Sequence, residues 1–83
     1  MPRVLIADRF ASSRWTIIRA LDIARDVQVV GEVAGARRIL PQVARTRPQV
    51  VLVEDELSLI ATDEPTVTLA LAERSPWSKT VTL

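Results

Sequence analysis

Two apolar runs in this chain each end in acid: Val4-Leu5-Ile6-Ala7 leads into Asp8, and Val50-Val51-Leu52-Val53 leads into Glu54-Asp55. Short, continuous β-branched and aliphatic runs suit strands buried on both faces, as in parallel sheets covered by helices above and below. Open α/β sheets place their ligand sites just beyond the carboxyl ends of such strands, so the two sets of carboxylates are expected to converge at one edge of the sheet. Arg9 puts a cation beside the first of them.

The segments between the acids support this frame. A first strand over residues 3–8 leads to Ser12 or Ser13, either of which can cap a helix running to about Ala24. Ile17, Ile18, Leu21 and Ala24 recur at spacings of three and four, which predicts that one helix face packs on a sheet. Residues 27–33 are β-branched and partly alternating, the pattern of an edge strand with one wetter side. Ile39, Leu40, Val43 and Ala44 form a second helical stripe across residues 36–45; Pro41 falls inside it and predicts a kink or a late helix start. Residues 50–53 read as the central strand. Thr62-Asp63-Glu64-Pro65 carries a cap, acids at the positive dipole end and an early proline, and opens a third helix that ends near Arg74. Residues 79–83 form a fourth strand. The order βαβαβαβ with short links predicts a parallel α/β sheet with right-handed crossovers in a single domain, residues 1–83.

Composition narrows the chemistry. The 83 residues include 11 basic and 10 acidic side chains, for a net charge of +1, and no stretch combines Lys and Arg with aromatics as a nucleic-acid groove does. Direct nucleic-acid contact is not expected. There is no Cys and no His, which removes disulfides, thiolate-bound zinc, Ser-His triads and histidine acid/base catalysis. No apolar run reaches the roughly 18 residues of a membrane span, and the chain opens directly into a strand, so a cytoplasmic protein is expected. Gly31 and Gly35 form no phosphate-cradling motif. Trp15 and Trp77 read as packing residues.

Arg3-Val4-Leu5-Ile6-Ala7-Asp8, Arg14, Val29-Val30-Gly31-Glu32 and Arg47-Pro48-Gln49-Val50-Val51-Leu52-Val53, at these spacings, resemble the receiver domains of response regulators, in particular those that precede LuxR-type outputs. The resemblance implies a flavodoxin-like fold with strand order 2-1-3-4, the first helix on one face and the next two on the other. It also implies that a complete receiver continues with a helix, a strand and a closing helix, so residues 1–83 are expected to be a partial receiver with a bare region on the first face near strands three and four, and with strand four as an open edge. An interface with a protein partner or a second copy is expected there, with or without exchanged elements.

In such receivers two acids after strand one and an Asp ending strand three hold magnesium, and that Asp accepts a phosphoryl group. Asp8 matches the first acid, Arg9 stands at the second, and Glu54 stands at the phosphoacceptor. Three acids would give the site a charge of −3, whereas Asp8, Arg9 and Glu54 sum to −1, so no bound metal or cofactor is expected. Arg9 either reaches inward to pair with Glu54 or extends into solvent; Glu54, Asp55 and Glu56 are either part of a fixed switch or a solvated acidic loop. The leading expectation is an atypical, non-enzymatic pseudo-receiver that serves transcription regulation by association. The alternatives are a magnesium-dependent phosphoacceptor using Asp55 and an interaction domain with an inert pocket.

Overall fold

The computed structural model describes residues 1–54 and 66–83. Among them the strands are β1 (Arg3–Ala7), β2 (Gln28–Val33), β3 (Val50–Val53) and β4 (Lys79–Thr82), joined through the helices α1 (Ala11–Ala24), α2 (Ile39–Thr46) and α3 (Val67–Arg74). All strand pairs are parallel, in the order β2-β1-β3-β4. This is the α/β sheet expected from the chain order, with β2 at one edge, β4 at the other, and the most apolar runs in the middle.

Because the order reverses direction after β2, right-handed crossovers place α1 on one face and α2 and α3 on the other. Leu5, Ala7, Val51 and Val53 point to the second face and pack with Ile39, Val43, Val67 and Leu71 into the main core. Val4 and Ile6 alternate to the α1 face and are also buried. The β1–β2 register skips Val30, pairing Val4 with Val29 but Leu5 with Gly31. A Cβ at Gly31 would lie 3.0 Å from Leu5 Cδ1, so glycine lets the edge strand close onto a core leucine.

Several local expectations change. Ser12 and Ser13 do not cap α1: the N-cap is Phe10, without a side-chain cap bond, and both serines lie inside the first turn. The amide of Phe10 is instead taken by the Asp8 carboxylate, which turns the chain from β1 into the helix. Of the two outcomes expected at Pro41, the late helix start is the one found: a 3-10 turn (Ala36–Arg38) precedes α2 and leaves Pro41 in the first α-helical turn, where its missing N–H has no intrahelical acceptor to lose. Thr66 caps α3 by accepting from the Leu69 amide at 3.3 Å; the expected capping run at residues 62–65 lies outside the described residues. Trp15 is no packing residue, being 66% exposed on the outer side of α1. No helix of the described residues is long and apolar enough to cross a membrane.

Candidate functional site

The carboxyl ends of β1 and β3 bring Asp8, Arg9 and Glu54 together. Backbone bonds fix the frame: the Asp8 amide donates to Val33 O at 3.0 Å, and the Glu54 amide to Ala7 O at 2.9 Å. Both strand ends are therefore held in the sheet ladder up to the acidic residue.

Arg9 turns inward. Its Nε donates to Glu54 Oε1 at 2.6 Å and its Nη2 to Oε2 at 3.2 Å, while the Arg9 backbone amide donates to Oε1 at 2.9 Å. The reading that sends Arg9 into solvent is overturned. A forked guanidinium matches the two oxygens of a carboxylate, and the added amide bond holds Glu54 to one rotamer. The side chains of Arg9 and Glu54 are 34% and 16% exposed. The hydrogen bond from Arg9 lowers the Glu54 pKa below its ordinary value of 4.5, against the opposing effect of burial, with the Arg9 amide and charge adding to the fall. Arg9 also lies over the Phe10 ring, its Cζ 5.0 Å from the centroid.

Asp8 is 5% exposed and ties the turn to the helix: its Oδ1 accepts from the Phe10 amide at 2.8 Å and its carbonyl accepts from Arg14 Nη1 at 2.8 Å. Arg14 then reaches Glu32 of β2, Nε to Oε1 at 3.0 Å. This clamp from α1 to the ends of β1 and β2 was missed from sequence, although its signal is present: a long cation in the second turn after β1, and an acid in the neighbouring strand on the α1 face. Asp55 lies outside the described residues. A cleft of about 550 Å³ opens beside the cluster, bordered by Asp8, Arg9, Phe10, Ile17, Glu54 and Leu83.

The receiver likeness implies magnesium here, and the described residues do not fit it. A hard divalent cation needs free anionic oxygens. Both Glu54 oxygens are engaged by Arg9, one Asp8 oxygen is engaged by an amide, and a guanidinium occupies the space between the strand ends.

No protein-family model and no curated protein matches the chain. Solved structures do. RcsB from Salmonella enterica serovar Typhimurium bound to promoter rprA in the presence of the phosphomimetic BeF3− is 18% identical with a TM-score of 0.83, over 99% of this chain and 68% of that one. The isolated REC domain of RcsB, also with BeF3−, is 18% identical with a TM-score of 0.84, over 98% of this chain and 59% of that one. The signal receiver domain of NarL from Mycobacterium tuberculosis is 22% identical with a TM-score of 0.81, over 98% of this chain and 64% of that one. The chain has the receiver fold and spans about two thirds or less of the length of these structures.

Proposed function

We propose that the chain is the receiver module of a bacterial response regulator in which the switch is held in one position without phosphoryl transfer, and that it serves transcription regulation by association from within the cytoplasm. The observation that carries this reading is the Arg9–Glu54 pair: the cation offsets the charge of Glu54 and engages both oxygens of the carboxylate that stands at the phosphoacceptor position. Glu54 is one methylene longer than Asp, so its carboxylate extends across the strand ends to meet Arg9. The pair sets the β1 and β3 ends in one arrangement, in the way an acyl phosphate and its metal would in a working receiver.

The test is to treat the purified protein with acetyl phosphate and magnesium and to measure intact mass, alongside a working receiver. The mass is expected to stay unchanged. A stoichiometric, base-labile phosphoryl adduct overturns the proposal and turns attention to Asp55.

The partner in this reading is a second copy of the chain. On the α1 face Val50, Leu52 and Val81 remain only half-buried and Leu83 is exposed, leaving apolar surface beside the open edge of β4. RcsB, among the similar structures, occurs as dimers on DNA. Light scattering is expected to give a concentration-dependent dimer that Leu52→Lys disrupts; a clean monomer at high concentration rejects self-association. A dimer unaffected by Arg9→Ala and Glu54→Ala would favour an interaction domain with an inert pocket.

A further inference from the structure

At the opposite end of the sheet, where β3 and β4 begin, α2 and α3 leave a groove of about 390 Å³ between them. Its lining includes Leu40, Pro41 and Ala44 from α2, Arg47 just after it, Arg74 at the end of α3, and Trp77 in the turn before β4. We infer that this groove is a binding site for a small organic monocarboxylate with a flat apolar body, separate from the Arg9–Glu54 site.

Size and composition agree with that class. The volume falls within the range of small-molecule pockets, which are mostly apolar with a few placed polar groups. Among the described residues two guanidinium groups line the groove and no carboxylate does. Among the described residues the ion pairs are Arg9–Glu54 and Arg14–Glu32, and neither groove arginine takes part in them.

The charge balance selects a monoanion. Both α2 and α3 end at the groove, and each C-terminus contributes about −0.5 of an elementary charge. Two arginines against two such ends leave roughly +1, which one carboxylate neutralises and a phosphate dianion exceeds. Offsetting the helix ends alone therefore does not exhaust the two cations.

The geometry is also prepared in advance. Arg47 is the left-handed C-cap of α2, at φ 47°, with its amide bonded to Val43 O at 2.8 Å and its carbonyl accepting from Arg3 Nη1 at 3.0 Å. Its side chain leaves this fixed backbone to lie over Trp77, Cζ 4.4 Å from the ring. Stacking on the indole holds the guanidinium plane while leaving its N–H edge available to a carboxylate. Trp77 stays 43% exposed, giving a flat surface beside the aliphatic wall of α2.

The probe is 1-naphthoate, titrated into the Trp15→Phe protein so that Trp77 is the only tryptophan reporting. At the efficiency typical of ligands with about 13 non-hydrogen atoms, saturation is expected with a Kd of about 1 mM or below. Arg47→Asn, chosen because Asn tolerates the left-handed conformation, and Arg74→Gln, at an exposed helix end, are each expected to weaken binding about tenfold with unchanged circular dichroism; Arg9→Ala is expected to leave it unchanged. Absence of saturation, or affinity in the two arginine variants equal to that of the Trp15→Phe parent, overturns the inference. Tighter binding of 1-naphthyl phosphate overturns the monoanion assignment. Binding of an acidic peptide without binding of naphthoate replaces the small ligand with a protein partner.

Discussion

Beneath α2 and α3, Leu5, Val51 and Val53 are enclosed by Ile39, Val43, Val67 and Leu71, all essentially without solvent contact. Beneath α1, Val4 and Ile6 are buried by the sheet's centre, but α1 itself, with its fourteen residues, contributes no buried side chain, and Val50, Leu52 and Val81 stay half-open. The same sheet therefore has one face sealed by packing and one held largely by polar ties. Apolar patterning assigns side chains to a face; how completely the face closes depends on what lies across it.

The largest expected effect breaks this asymmetry from the sealed side. Ile39→Ala removes a fully buried side chain and leaves a cavity among Leu5, Val43 and Leu71, at a cost of about 2 to 5 kcal/mol. Ile18→Ala, on the half-buried stripe of α1, is expected to cost about 1 kcal/mol or less, because less area is lost and no closed cavity forms. Urea unfolding of both variants checks the difference; equal costs would mean that α1 packs as tightly as α2.

Gly31→Ala probes the sealed face from its edge. The added methyl meets Leu5, which cannot yield into solvent, so a loss of about 1 to 3 kcal/mol is expected from overpacking. A neutral or stabilising result would show that β2 shifts away from β1 at the skipped residue, and would make the edge more pliable than the register indicates.

These contrasts explain which features could be read in the chain. The strands were legible because β1 and β3 are unbroken apolar runs and β2 is mixed, so centre and edge followed from composition. The stripe of α1 was legible as a direction; its shallow burial was not, because the pattern Ile17, Ile18, Leu21 is the same whether or not anything else covers the face. Ser12 and Ser13 misled as caps because a carboxylate two residues before Phe10 had already taken the turn's amide. Arg9 and Glu54 could be paired on charge and position, since both follow strands that the sheet places side by side. Arg47 and Trp77 lie thirty positions apart on two different loops, and no local pattern in the chain announces their stacking.

The open face is held by Arg14, which ties α1 to Asp8 O and to Glu32. Arg14→Met keeps most of the apolar stem and deletes both ties, with an expected cost of about 1 to 2 kcal/mol, below that of a core cavity because Glu32 remains hydrated. The sharper readout is local: hydrogen exchange should rise along α1 before it rises in α2 or α3. Uniform acceleration across all three helices would mean that the two faces unfold as one unit and that the asymmetry is only geometric.

The smallest effect concerns the Arg9–Glu54 pair, which bridges strand ends at the rim of both faces. With both partners partly exposed, it contributes about 1 kcal/mol or less. Its pH dependence has a definite sign. Glu54 titrates below 4.5 in the folded protein and near 4.5 when unfolded, so the unfolded chain binds the proton more readily, and acid favours unfolding. The contribution is fully present above pH 4.5 and is lost as pH falls through the lowered folded value. The stability difference between the wild type and Glu54→Gln isolates this group from the other carboxylates, since the amide can still accept from Arg9 but carries no charge. That difference is expected to be constant from pH 7 to about 5 and to shrink below pH 4.5. A difference that stays flat into acid would mean that the Arg9–Glu54 contact acts as a neutral hydrogen bond, and that charge neutralisation is not what holds the strand ends together.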